Sequence, residues 1–314
     1  MTTHLIVGAG AVGTATALLL VEQGHRVRLA SRSGRGPEHP AIERLRLDAA
    51  DAPAAAAAAR GAVAIYTCVN PPYTQWPTAW PPIARALLAA AEQSGAVLAT
   101  TSNLYGYGPV DGSIHEDLPL AATGAKGRVR AQVWLDALAA HRGGRVRATE
   151  VRPSDFYGPG VTGAMLDERA LRRLLAGKRT QLLGDPDARH SVSYVPDVAR
   201  LLVTVAADER AWGHAWHVPS AAALSQRATV AIFAEAAGVP APKISVPPAP
   251  LLALAGLVVP MVRELRETRH QFAHDWVLDA GRAERTFGLA ATPLADGARH
   301  TIEMLLRRAP VAVR

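Results

Sequence analysis

Apolar and polar positions in the first half of the chain form short apolar runs separated by stretches with helical spacing. The runs His4–Val7, Arg26–Ala30, Leu45–Leu47, Ala62–Cys68, Ala96–Thr101 and Val146–Val151 predict strands. Between them, Ala11–Gln23, Ala52–Ala59, Ile83–Gln93 and Arg128–His141 predict helices, the first ended by Gly24. Strands regularly separated by helices predict an α/β fold, a doubly wound parallel sheet with right-handed crossovers. Past residue 155 the alternation fades, and prolines interrupt the chain at Gly158-Pro-Gly160, Pro247-Pro-Ala-Pro250 and Pro293. Helices are predicted over Leu166–Ala176, Asp197–Ala206, Arg227–Ala237, Leu251–Leu265 and Leu294–Arg307. The expected division is a sheet domain over residues 1–155 and a smaller, mostly helical domain over residues 156–314. Segments near 190–206 are free to return to the first domain.

The first strand joins the first helix through Gly8-Ala-Gly-Ala-Val-Gly13. A strand that ends in glycines and opens a helix makes a diphosphate cradle. Gly8 permits the tight turn, Gly10 lets the backbone approach the phosphates, and Gly13 lets the helix pack close to the strand. The helix start at Ala11 and Val12 supplies free N–H groups. The glycines follow a strand and precede an apolar helix, the context that marks a Rossmann-type dinucleotide site.

Composition adds limits. Apolar residues make up 49% of 314, ordinary for a soluble globular protein. No basic leader precedes the first strand, and the longest apolar stretch, Pro250–Val262, is broken by prolines and too short for a bilayer. The expectation is a cytoplasmic protein with no membrane partner. Cys68 is the sole cysteine, so no intrachain disulfide can form. The net charge of +7 comes from scattered arginine, with Lys126, Lys178 and Lys243 the only lysines. No nucleic-acid partner is expected from such a distribution.

The end of the second strand separates NAD from NADP. An acid there holds the ribose hydroxyls of NAD, whereas an arginine suits a 2′-phosphate. This chain has Ser31-Arg32-Ser33-Gly34-Arg35 and no acid. Guanidinium and hydroxyl groups meet phosphate with charge-assisted hydrogen bonds, which favours NADP(H) over NAD(H). Asp48, after the third strand, then lies near the adenine, or else belongs to the start of the following helix.

Four motifs occur in order: Gly8–Gly13, Thr101-Ser-Asn-Leu-Tyr105-Gly106, Arg152-Pro-Ser-Asp-Phe-Tyr-Gly158-Pro159, and Ser193-Tyr-Val-Pro-Asp197-Val-Ala199. Together they resemble an extended short-chain dehydrogenase/reductase of the NAD-dependent epimerase/dehydratase kind, over nearly the whole chain. The resemblance implies a Rossmann domain with a C-terminal substrate domain, a bound NAD or NADP, and a homodimer paired through helices such as Arg128–His141. The glycine spacing departs from the usual G-x-x-G-x-x-G of extended members. A second departure touches the chemistry. The family uses a Ser/Thr hydroxyl, then Tyr-x-x-x-Lys, in which the lysine lowers the tyrosine pKa and holds the nicotinamide ribose. Thr101 fits the hydroxyl position, but Lys126 stands where the tyrosine belongs and Arg130 where the lysine belongs, and no Tyr-x-x-x-Lys occurs in the chain. Arg130 is then expected to anchor the ribose, with Lys126, Tyr105 or Tyr157 handling the proton.

Smaller signals complete the expectation. Asn70-Pro-Pro-Tyr73 follows a strand at the ligand edge of the sheet, where it reads either as a wall beside the nicotinamide ribose with Tyr73 and Trp76 facing substrate, or as a proline turn with core aromatics. By the resemblance, the backbone at Arg152 and Pro153 lies near the nicotinamide amide, and Ser154 and Asp155 reach substrate, unless Asp155 caps a turn. His190 reads as a surface histidine in preference to a substrate contact, and Asp197 as a helix N-cap in preference to an active carboxylate. His214 and His217 sit on a short strand without companion ligands, so no metal is expected. The functional expectation is an NADP(H)-dependent oxidoreductase acting on a small organic carbonyl, imine or activated alkene. The alternatives are an epimerase or dehydratase with bound NAD(P), and a cofactor-binding sensor without turnover.

Overall fold

The computed structural model describes residues 1–307, so residues 308–314 of the expected second domain lie outside the described residues. Seven parallel strands form the central sheet: β1 (Thr3–Val7), β2 (Arg26–Ser31), β3 (Ile42–Arg46), β4 (Ala62–Thr67), β5 (Val97–Thr101), β6 (Arg147–Arg152) and β7 (Ala215–His217). Their order is β7-β6-β5-β4-β1-β2-β3. The direction of winding reverses between β1 and β4, and a crevice opens outside the carboxyl ends of strands at such a reversal.

Helices cover both faces, which is why the strands read as nearly continuous apolar runs. In β1, Ile6 points to the face covered by α1 (Ala11–Glu22) and α6 (Val195–Ala207). Its neighbours Leu5 and Val7 point to the opposite face, against α2 (Ala52–Ala59), α3 (Trp76–Ser94) and α4 (Ala125–Arg142). A third cluster, with Leu171, Leu174, Val230, Phe233 and Ile302, joins α5 (Glu168–Leu175), α7 (Gln226–Ala236) and α12 (Leu294–Arg307) into the smaller helical layer. The chain crosses back after residue 155: α6 packs on α1, and β7 adds a seventh strand to the sheet.

Two elements differ from the sequence expectation. The helix expected over Ile83–Gln93 begins at Trp76, ahead of three prolines. Pro77 sits in the first turn, where no N–H is needed, and buried Trp76 and Trp80 hold the start against Val133. The helix expected over Leu251–Leu265 is two, α8 (Ala249–Val258) and α9 (Pro260–Thr268), because Pro260 ends one run and starts the next. A four-residue α10 (His270–Ala273) and α11 (Gly281–Phe287) precede α12.

Candidate active site

A cleft opens at the carboxyl ends of β1, β4 and β5, with Gly10, Ala11 and Val12 on its floor. Gly8 has φ +114, open only to glycine, and a Cβ there would strike the backbone of Cys68. A Cβ at Gly13 would overlap the Gly8 carbonyl oxygen, so the close approach of α1 to β1 depends on that glycine. Gly10 differs: a Cβ there meets nothing within 4 Å. Gly10 is the N-cap of α1 and supplies no side-chain cap. The first-turn N–H groups of α1 thus end at the cleft with partial positive charge.

β5 and α4 supply the next wall. Thr101 lines the cleft, 3.7 Å from the Cys68 sulfur, and burial pushes the Cys68 thiol up to about 12. Arg130 also lines the cleft, 3% exposed, with its guanidinium 4.0 Å from the Trp80 ring centre. Its Nη2 donates to the Thr101 carbonyl at 2.8 Å, while Nε and Nη1 have no partner. Burial, partly offset by Glu150, lowers the Arg130 pKa to about 10, so it stays charged at neutral pH. Three further buried lining residues carry polar atoms without a partner among the described residues, Trp80 Nε1, Ser154 Oγ and Gln271 Nε2. Native interiors rarely leave such groups unpaired, and several at one cleft mark a place built to be completed by a ligand. The uncapped α1 start, the open space over Gly10 and the unpaired Arg130 N–H groups fit a nicotinamide dinucleotide.

At the expected 2′-phosphate position, Ser31 Oγ donates to the Arg35 carbonyl at 3.2 Å and Ser33 Oγ accepts from the Arg35 N–H at 3.3 Å. These bonds pin the turn and leave Arg32 exposed. Asp48 is exposed and accepts from the Ala50 N–H at 3.0 Å, and the N-cap of α2 is Asp51.

Aromatic side chains form a further wall. Asn70, Tyr73 and Tyr105 line the cleft, and Tyr73 and Tyr105 meet edge to face at 6.4 Å. The Tyr73 hydroxyl lies 3.1 Å from that of Thr268 on α9. Tyr105 is raised well above the usual phenol range, first by burial and then by the charge of Asp155.

Lys126 and Tyr157 stand elsewhere than expected. Lys126 is 2% exposed, but it does not line the cleft. Its ammonium is ion-paired to Glu264 and lies 3.7 Å from Glu267, both on α9. Tyr157, expected to face substrate, is buried in the helical layer, stacked 5.1 Å from Tyr194 beneath Gly297. Its strand, 155–157, pairs with 192–194, and that pairing carries the alternating side chain into the core. At Arg152, where the expectation concerned the backbone, the side chain bonds Glu150 at 2.7 Å and the Tyr107 hydroxyl at 2.6 Å. Pro153 and Ser154 do line the cleft.

His190 is not at the surface. It is 2% exposed and stacks on Phe272 at 4.9 Å. Its Nε2 lies 3.0 Å from Asp155 Oδ2, and its Nδ1 lies 3.0 Å from the Gln271 carbonyl. Asp155 lines the cleft with Gln271 and Trp276. Asp197 anchors Thr292, through its N–H and hydroxyl, both at 2.8 Å, and does not cap α6. His217 is buried between Tyr107 and the Asp279 carbonyl, and no metal-holding group of three or more His, Cys, Asp or Glu occurs among the described residues. No helix among them is long and apolar enough to cross a membrane.

Residues 4–218 match the sequence model of the NAD dependent epimerase/dehydratase family. No curated protein matches the chain. Among solved structures, UDP-glucuronic acid 4-epimerase from Bacillus cereus, in complex with UDP-glucuronic acid and NAD, is similar at 15% identity and TM-score 0.79. The match covers 98% of this chain and 99% of that one. Bordetella bronchiseptica WbmH, in complex with NAD+, is 19% identical with TM-score 0.75, covering 98% and 100%. A double mutant of the dTDP-glucose 4,6-dehydratase DesIV from Streptomyces venezuelae, with NAD and DAU bound, is 20% identical with TM-score 0.76, covering 97% and 96%. At these identities the likeness shows the fold.

Proposed function

The chain belongs to the NAD-dependent epimerase/dehydratase family, and from that premise we propose that it is a nicotinamide-coenzyme enzyme transferring hydride at a small alcohol or carbonyl carbon. The observation that carries this reading is the buried Arg130, with two unpartnered N–H groups in the cleft that also receives the uncapped start of α1. When bound, the coenzyme supplies hydride exchange at its nicotinamide ring. The chain's own residues do the rest. The α1 amides hold the diphosphate and Arg130 the nicotinamide ribose, where guanidinium replaces the family's ammonium without loss of charge. The Thr101 and Tyr105 hydroxyls position the reacting oxygen. Tyr105, with its proton held by burial, serves as a hydrogen-bond donor. Asn70 and Tyr73 close the opposite wall, which excludes water from the reacting centre.

NADP(H) is the preferred coenzyme in this reading, since β2 ends in exposed Arg32 with no acid in its turn. The neighbours solved with NAD argue for the other coenzyme, and one variant decides. Arg32→Glu is expected to weaken NADPH binding about tenfold or more, the worth of a charge-assisted phosphate contact. NADH binding should change little, as read by calorimetry. Equal effects on both coenzymes would remove the NADP preference. A homodimer paired along α4 belongs to the same reading, and light scattering on the purified protein tests it.

A second reading follows from the neighbours named for epimerase and dehydratase activity on nucleotide sugars. There the substrate is oxidised and re-reduced with no net coenzyme consumption. Steady NADPH oxidation with a panel of small carbonyl compounds supports the reductase. Conversion of a nucleotide sugar at constant coenzyme absorbance supports the epimerase or dehydratase. A folded protein that binds neither coenzyme would overturn both.

A further inference from the structure

The proton carrier of the family motif is missing, and the two residues nearest its place do not replace it. Lys126 is committed to Glu264 and Glu267, with its ammonium 4.7 Å from the ring centre of Tyr73, behind the cleft wall. Tyr105 keeps its phenol proton because burial and the Asp155 charge both oppose ionisation. The remaining titratable cluster at the cleft is Asp155 with His190, and its hydrogen bonds fix a proton count. A backbone carbonyl only accepts, so the 3.0 Å contact to Gln271 requires the proton on His190 Nδ1. Nε2 then faces Asp155 Oδ2 at 3.0 Å, in surroundings where His190 is 2% exposed. A bare ring nitrogen opposite a carboxylate would set two lone pairs against each other, so one more proton lies between them. His217 supplies the contrast within the same molecule. Its Nδ1 also meets a carbonyl, of Asp279, but its Nε2 meets a hydroxyl that can donate, so a neutral ring satisfies both contacts.

We propose that Asp155 is the catalytic base and acid of this cleft, and that His190, hydrogen-bonded to the Gln271 carbonyl and to Asp155, is its positioning partner. Asp155 Oδ1 has no partner among the described residues, and Asp155 lines the cleft beside Ser154 and Gln271, whose own unpaired Oγ and Nε2 suit a hydroxylated substrate. A bound oxidised coenzyme would supply the acceptor for the substrate C–H hydrogen, as hydride, during substrate oxidation. The O–H proton passes to Asp155 Oδ1, and the O–H electron pair becomes the second bond of the C=O group. Reduction reverses each transfer, with Asp155 returning the proton to the carbonyl oxygen. The titratable groups that face Asp155 are His190, from the segment before 192–194, and the neutral phenol of Tyr105, on which the Asp155 charge acts.

This inference rests on the coenzyme reading above, and the test separates the two. Calorimetry with NADPH and NADH checks that reading alone, and Asp155→Asn should leave both affinities within about twofold. For the pair itself, protein labelled with 15N histidine should show both His190 ring nitrogens protonated at pH 7.5. Asp155→Asn should return Nε2 to the unprotonated range. With whichever panel substrate turns over, Asp155→Asn should lower kcat about a hundredfold with KM within threefold, the scale of a lost general base. His190→Gln keeps a neutral donor to Asp155 and should lower kcat about tenfold, again with KM held. A bare Nε2 in the wild type, or an Asp155→Asn variant with full kcat, overturns the proposal even where coenzyme binding is intact. If His190→Gln fails to fold, the isosteric Asp155→Asn decides by both readouts.

Discussion

Gly10 and Gly13 stand one helical turn apart and predict opposite phenotypes. A methyl at Gly13 overlaps the Gly8 carbonyl, so Gly13→Ala should lower unfolding stability by about 1–3 kcal/mol, seen as a lower thermal midpoint. A methyl at Gly10 meets only open space, so Gly10→Ala should keep the midpoint and weaken coenzyme binding about tenfold, as calorimetry would show. Arg130 behaves in the same divided way. A buried guanidinium with two unpartnered N–H groups is held at a cost, so Arg130→Met should match or exceed wild-type stability while losing at least tenfold in coenzyme affinity. A drop in both would make Arg130 structural. At this scale the glycine turn was readable because glycine identity reports backbone conformation directly. The direction of the Lys126 side chain was not, because a lysine's partner comes from wherever a distant carboxylate arrives.

That carboxylate belongs to α9. The N-cap of α4 is Gly124, which has no side chain to accept from the first-turn amides. Glu267 accepts from the N–H groups of Lys126 at 2.7 Å and Gly127 at 3.0 Å, so a helix about 140 residues later caps α4. Glu267→Ala should cost about 1–2 kcal/mol, the worth of a helix cap, measured by chemical denaturation. Glu267→Gln keeps one acceptor oxygen and should recover most of it. Helix existence was legible from apolar spacing, and α12 falls where the pattern puts it. The early start of α3 was hidden because local preference counts against prolines, while burial of Trp76 and Trp80 outweighs that preference.

For the molecule as a whole, acid stability depends on histidines buried in neutral form. Burial lowers His217 from 6.5 to about 3 and His4 from 6.5 to about 4. Such a ring takes up its proton only on unfolding, so the unfolded chain binds more protons as pH falls. Stability is full above about pH 6.5 and declines toward pH 3. Between pH 6.5 and 4.5 the loss from His217 alone should be on the order of 2–3 kcal/mol. His217→Gln should flatten that slope in thermal melts across the range, at some loss of stability at neutral pH. An unchanged slope would place the acid sensitivity elsewhere. The parallel sheet, its winding and the coenzyme turn were already written in the chain, because period, glycine placement and strand–helix alternation are local properties. Three things came only from the packed molecule: the pairing of Asp155 with His190, the diversion of Lys126, and the turning of Tyr157 into the core. Each depends on which segments meet across more than thirty residues, and no local pattern encodes that meeting.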